Sequence, residues 1–122
     1  MPPVIQHVSV EVPRERVDAC ADFWALRGFR RVEPPPSLSD RAVWVERLGT
    51  QVHLMYADEP VVPPKAHVAV VAEDYERAFG ALRDAGHSPE PRPEHWGVPR
   101  CFVHDPAGHR VEVMAGPPAS SG

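Results

Sequence analysis

The chain lacks an excess of positive charge and has no long apolar run. Its 122 residues include 13 Lys and Arg against 17 Asp and Glu, a formal net charge of −4, whereas nucleic-acid-binding proteins normally present a basic face. No apolar stretch approaches the roughly 20 residues of a membrane-spanning helix. The opening residues, MPPVIQHVSV, lack the basic region and apolar core of a signal peptide. We therefore expect a cytoplasmic protein that binds neither nucleic acid nor a membrane.

Cysteine is also scarce, with Cys20 and Cys101 alone. In a cytosolic chain we expect both to be reduced thiols, one in a helix and one in a strand. The 16 prolines cluster at apparent element boundaries, so they indicate the ends of helices and strands rather than disorder. The length and the 43% apolar content suit one compact domain over 1–122.

The sequence contains an internal repeat. The segments IQHVSVEVP (5–13) and KAHVAVVAE (65–73) both place a histidine third and continue with valine-rich strand residues. Each is followed by a helix-like stretch that ends at glycine, at 14–28 and 74–86. Glycine just past the last periodic residue is a common helix stop.

The second parts of the two halves also correspond. A strand, a tight turn and a second strand are predicted for both AVWVERLGTQVHLM (42–55) and RCFVHDPAGHRVEVM (100–114). The residues DPAG strongly favour a turn. Each half therefore predicts one βαβββ module, at 4–58 and 65–115, followed by a short flexible tail at 116–122.

Superimposing the halves places four ionisable residues at two repeated positions. His7 matches His67 and His53 matches Glu112, with a separation of 46 residues in the first half and 45 in the second. Because side chains alternate along a strand, each of these residues lies opposite a valine-rich face that suits packing against helices. We expect the four side chains to point into one cavity.

These four residues are suitable ligands for a divalent ion of Zn, Ni, Fe, Mn or Co. The trio His7, His67 and Glu112 would leave coordination positions open for water or substrate. With His53 added, the site is either octahedral with two exchangeable positions or tetrahedral and closed. His53 is alternatively a base or a hydrogen-bond partner beside the ligands, and Glu112 is alternatively a surface carboxylate.

Four further residues are candidates for contact with a substrate. Ser9 and Gln51 share strand faces with the proposed ligands. His95 and Trp96 lie in the Pro- and Gly-bounded loop 89–99, which suits a lid or substrate wall. The alternative is an ordinary exposed loop in which Trp96 covers the core.

Over residues 4–115 the pattern resembles the vicinal oxygen chelate superfamily, which includes glyoxalase I, extradiol dioxygenases and bleomycin-resistance proteins. HVSVEVP, FWALRGF, AHVAV and FVHDPAGHRVEVM carry the resemblance. It implies an α+β fold, in which two βαβββ modules form a cupped mixed sheet with helices on the convex face. It also implies metal ligands on the first and last strands of each module, and a homodimer.

The resemblance implies a metal-dependent lyase or isomerase that acts on a small oxygen-chelating substrate, with Glu112 or His53 moving a proton. Glu11 and Ala57 stand where bacterial glyoxalase I has glutathione-binding residues, which argues against a glutathione substrate. Three alternatives remain open at this point. They are an Fe(II) extradiol-type dioxygenase, a non-catalytic drug- or metabolite-binding protein, and a closed structural zinc site.

Overall fold

The computed structural model describes residues 3–119, so residues 120–122 of the predicted tail lie outside the described part. The chain divides into two compact units between Val62 and Pro63. The predicted modules 4–58 and 65–115 fall in the first and second unit respectively. Each unit is described by itself.

The first unit consists of a strand, a helix and three strands. Its elements are β1 (His7–Val12), α1 (Val17–Ala25), β2 (Arg30–Val32), β3 (Ala42–Arg47) and β4 (Thr50–Tyr56). The sheet order is β1-β4-β3-β2, in which β1 is parallel to β4 and the other pairs are antiparallel. This confirms the predicted βαβββ module.

The second unit repeats the same arrangement. Its elements are β5 (His67–Val71), α2 (Tyr75–Asp84), β6 (Glu90–Arg92), β7 (Arg100–His104) and β8 (Arg110–Met114). The sheet order is β5-β8-β7-β6, with β5 parallel to β8. The α+β class is therefore confirmed, with one four-stranded mixed sheet in each unit.

The two helices end two or three residues before the predicted glycines, α1 at Ala25 and α2 at Asp84. Gly28 and Gly86 have φ of +84° and +94°, a left-handed conformation that glycine adopts without steric strain. At the start of α2, the side chain of Asp74 accepts a hydrogen bond from the backbone N–H of Arg77 at 3.1 Å, which satisfies one exposed helix donor. Within the described residues, neither helix is long and apolar enough to cross a membrane.

The apolar core of each unit lies on the face opposite the ionisable residues. In the first unit, Val52 and Leu54 of β4 are buried against α1, whose Phe23 and Trp24 are also buried. In the second unit, alternate strand residues and two residues of α2 form the core: Ala78, Leu82, Cys101, Val103, Val111 and Val113. Both cysteines are buried thiols, as expected. The predicted alternation therefore orients the candidate ligands away from the helices.

The DPAG turn between β7 and β8 is organised by a buried carboxylate. Asp105 is 5% exposed, and its Oδ1 accepts hydrogen bonds from the backbone N–H groups of Ala107 and His109 at 2.9 and 2.8 Å. Its Oδ2 is buried and has no hydrogen-bond partner among the described residues. Burial raises the pKa of Asp105 above 3.8, although hydrogen bonds from three backbone N–H groups and the charge of His109 act in the opposite direction.

We predict that Asp105→Asn makes the protein more stable at neutral pH by about 1 kcal/mol. With its pKa raised on folding, Asp105 binds more protons in the folded than in the unfolded state. Its contribution to stability is therefore complete below pH 3.8 and is lost as the pH rises through the higher folded value. Urea unfolding from pH 3.5 to 7 should show this loss in the wild type but not in the Asn variant, which keeps the Oδ1 acceptor. Equal pH profiles would contradict the assignment.

Candidate metal centre

The second unit brings two of the predicted ligands into direct contact. His67 begins β5 and Glu112 lies in the middle of β8, which is hydrogen-bonded to β5 in a parallel pair. The Nε2 atom of His67 lies 3.0 Å from Oε1 of Glu112. The repeat predicted that these side chains share a face, and this contact confirms that they do.

A backbone carbonyl determines which ring nitrogen of His67 carries a proton. Nδ1 of His67 lies 2.9 Å from the carbonyl oxygen of Lys65. That oxygen can only accept, so Nδ1 must donate its N–H. In the neutral ring, Nε2 then presents a lone pair to a carboxylate oxygen, which also only accepts. Either a proton or a metal ion must therefore lie between the two atoms.

The geometry of this pair fits a divalent metal. Two ligand atoms each about 2.0–2.2 Å from one ion, at roughly a right angle, are about 3 Å apart. A metal-binding histidine usually donates its other N–H to a carbonyl or a carboxylate, as His67 does to Lys65. His67 and Glu112 thus have the spacing that two adjacent ligands of one ion would have.

Arg100 holds the second oxygen of Glu112 and was missed by the sequence interpretation. Its Nη1 lies 3.3 Å from Oε2 of Glu112, and its Nε donates to the carbonyl of Pro93 at 2.8 Å. Glu112 and Arg100 are 5% and 8% exposed. The alternative that Glu112 is a surface carboxylate is therefore wrong. One sequence feature could have identified Arg100. It lies two residues before Phe102, and therefore on the same sheet face as Phe102 and its cross-strand neighbour Glu112.

In the first unit, His53 is enclosed between two rings. Its imidazole stacks on His7 with a centroid distance of 4.1 Å, and on Trp44 with a distance of 3.8 Å and an interplanar angle of 2°. Trp44 pairs with His53 across β3 and β4. The sequence interpretation did not identify Trp44, although the hairpin register would have placed it there.

His53 is oriented by Gln51, which is itself held by Glu46. Its Nε2 lies 2.8 Å from Oε1 of Gln51, while Nε2 of Gln51 donates to Glu46 at 2.8 Å. Because the amide nitrogen of Gln51 faces Glu46, the amide oxygen of Gln51 faces His53 and accepts a hydrogen bond from its Nε2. In a neutral His53, the lone pair is therefore on Nδ1. Burial lowers the pKa of His53, and His7 lowers it further.

The stacked pair is not arranged as a chelate. The rings of His7 and His53 are within 13° of parallel, so their in-plane lone pairs do not meet at one point. His7 is exposed and is hydrogen-bonded through Nδ1 to Gln6 at 2.8 Å. Joint coordination of one ion by both residues requires a rotation of the His7 ring. The second pair therefore fits a metal as it stands, and the first pair does not.

The other predicted residues differ in their surroundings. Ser9 is exposed and pairs in register with His53, whereas Gln51 orients that histidine. His95 is exposed, and Trp96 donates from Nε1 to the carbonyl of Gly116 at 2.8 Å. Across residues 3–119, no three His, Cys, Asp or Glu side chains form a group that could hold a metal.

A family model and a curated protein are similar in sequence to this chain. The family model described as a glyoxalase-like domain matches residues 8–114. An uncharacterized protein of Pseudomonas aeruginosa is 27% identical, in an alignment that covers 100% of this chain and 95% of that protein.

Two solved structures have the same fold at low identity. A Bacillus anthracis protein assigned to the glyoxalase family has a TM-score of 0.83 and 22% identity, and the match covers 93% of this chain and 95% of that one. The lactoylglutathione lyase of Agrobacterium tumefaciens has a TM-score of 0.69 and 18% identity, with the same two coverages of 93% and 95%.

Proposed function

The chain belongs to the glyoxalase-like domain family of the vicinal oxygen chelate superfamily, and from this premise we propose that it is a divalent-metal-dependent lyase or isomerase. Its substrate is a small molecule that chelates the metal through oxygen. The observation that carries the proposal is the 3.0 Å contact between Nε2 of His67 and Oε1 of Glu112, because a divalent ion can take the place of the proton between these two atoms.

The proposed ligands are His67 and Glu112, with His7 as the third and His53 as the fourth. The support for His67 and Glu112 is geometric, whereas that for His7 and His53 is their equivalence in the repeat. A divalent ion held by these residues would supply Lewis-acid stabilisation of negative charge that develops on a substrate oxygen. Zn, Ni, Fe, Mn and Co all suit imidazole and carboxylate ligands, so the donor set leaves the metal open.

His53 and Glu112 are the groups proposed to move a proton. The lowered pKa of His53 keeps it neutral near pH 7, and its Nδ1 lone pair is then a suitable base. Arg100 holds Oε2, so Glu112 would accept a proton through Oε1 when that oxygen is not bound to the metal. His53 is 6% exposed and Glu112 is 5% exposed, which limits the access of water to each group.

The proposal is tested by metal analysis of the purified protein and by calorimetric titration of the metal-free protein with Zn, Ni, Fe and Mn. We expect about one ion per chain in the wild type. His67→Ala should weaken binding by more than about a hundredfold, because a direct ligand contributes more than an outer partner.

His104→Ala is the matched control, since His104 is another exposed histidine of the same sheet. It should bind metal as the wild type does. Retention of tight binding in His67→Ala would remove the basis of the proposal. A wild-type protein that gains none of these ions would instead favour the non-catalytic binding protein.

We further propose a homodimer, which the family resemblance supports and light scattering of the purified protein tests. The Fe(II) dioxygenase alternative differs in consuming oxygen when the iron-loaded protein is mixed with a catechol. Conversion of an oxygenated substrate without oxygen uptake would support the lyase or isomerase.

A further inference from the structure

Three arginines surround one phenylalanine on the same sheet face as His67 and Glu112. The Cζ atoms of Arg92, Arg100 and Arg110 lie 5.3, 5.3 and 4.7 Å from the centroid of the Phe102 ring. The three arginines come from three neighbouring strands, β6, β7 and β8. The His67 ring is also 5.3 Å from that of Phe102. The arginines therefore adjoin the candidate metal ligands.

The positive charge of this cluster is only partly offset. Arg100 is paired with Glu112. Within the described residues, the side chains of Arg92 and Arg110 have contacts with the Phe102 ring but no carboxylate partner within ion-pair distance. Nε of Arg110 is buried and has no acceptor in the same part of the chain. Glu90, which pairs with Phe102 in register, is the other carboxylate of this face.

An unsatisfied guanidinium group favours a specific kind of ligand. Its planar fork of N–H donors matches the two oxygens of a carboxylate or phosphate, and the resulting charge-assisted bonds are stronger than neutral ones. Arg92 and Arg100 also line a cavity of about 330 Å³ with Tyr75 and Phe79. Glu76 and Glu94 also line the cavity, so its wall carries negative as well as positive charge. Arg92 and Arg100, but not Arg110, thus border space that a small molecule can enter.

We propose that Arg92 and Arg110, supported by Arg100, form an oxyanion-binding site, and that the substrate carries a carboxylate or phosphate group. Arg100 is already committed to Glu112 and Pro93, so it positions the cluster while the other two arginines bind. That the bound anion belongs to a substrate rests on the proposed function, whereas the anion site itself does not require a metal.

The test is an NMR titration of the purified protein that follows the arginine Nε–Hε signals. The probes are glycolate and inorganic phosphate, and ethylene glycol is the uncharged control. We expect saturable shifts of the Arg92 and Arg110 signals with an anion and none with ethylene glycol. Tighter binding of glycolate would identify a carboxylate as the source, and tighter binding of phosphate would identify a phosphoryl group.

Arg92→Gln/Arg110→Gln should weaken anion binding about tenfold or more, because two charge-assisted donors are removed. Arg77→Gln/Arg83→Gln on α2 removes the same charge from exposed helix positions and should leave the affinity unchanged. Arg92→Lys/Arg110→Lys keeps the charge but removes the fork, so an intermediate affinity is expected. This lysine pair also provides a folded comparison if the glutamine pair unfolds.

Equal weakening by the two glutamine pairs would overturn the inference, since the effect would then be one of net charge. An absence of saturable shifts in the wild type would overturn it as well. His67→Ala separates the two proposals, because it removes a proposed metal ligand but should retain anion binding. Loss of metal binding with anion binding intact supports both.

Discussion

Replacing Glu112 with alanine should lower the free energy of unfolding by about 3–5 kcal/mol. The substitution removes the partner of the Arg100 guanidinium, which is 8% exposed and lies 3.3 Å from Oε2 of Glu112. A buried cation that loses its counter-ion keeps its desolvation penalty and loses the attraction that offset it. The nearby carbonyl of Pro93 satisfies only Nε.

The measurement is urea unfolding in the presence of a chelator, which removes any contribution from bound metal. Glu112→Gln should be less destabilising than Glu112→Ala, since an amide oxygen can still accept from Arg100. Arg100→Met/Glu112→Leu should recover much of the loss, because well-packed apolar residues commonly replace a buried ion pair without penalty. A loss below about 1 kcal/mol in Glu112→Ala would show that the pair is hydrated.

The modular fold could be read from the sequence because it depends on local and repeated signals. Gly28 and Gly86 adopt the left-handed conformation that stops a helix, and each follows the helix of its half of the repeat. Strand parity then determined which face holds His53 and Glu112, since a side chain cannot change faces without a shift of register. These signals need no knowledge of distant contacts.

The chemistry within each pair could not be read in this way. Parity places His53 on a face, but its tautomer follows from the chain of hydrogen bonds through Gln51 to Glu46. The enclosure of its ring depends on the rotamers of His7 and Trp44. Arg100 likewise appears in the sequence as an ordinary charged strand residue, and only the packing shows that it is buried against Glu112.

The duplicated modules have the same backbone positions but different electrostatics. In the first, burial and a histidine neighbour lower the pKa of His53. In the second, a carboxylate replaces that histidine, and an arginine balances its charge. A metal bound by all four side chains would therefore have one anionic ligand. The net charge left on the ion would favour an anionic substrate oxygen, in agreement with the arginine cluster on the second sheet.

Substitution of His53 by phenylalanine should separate its structural role from its proposed role as a ligand. Phenylalanine keeps a planar ring between His7 and Trp44 but removes both nitrogens. We expect the free energy of unfolding to fall by about 1 kcal/mol, because the ring stack is retained but the hydrogen bond to Gln51 is lost. His53→Ala, which also leaves a cavity, should lower it by about 2–3 kcal/mol.

Metal affinity then distinguishes the possible roles of His53. If His53 is a direct ligand, the affinity of His53→Phe should fall by more than about a hundredfold, whereas loss of an outer partner typically lowers it ten- to hundredfold. Gln51→Ala is the control, because it removes the hydrogen bond to His53 but leaves the imidazole. If His53→Phe and Gln51→Ala weaken binding equally, His53 acts only beside the metal. The proposed ligand set is then reduced to the trio His7, His67 and Glu112, which would leave one more coordination position for substrate.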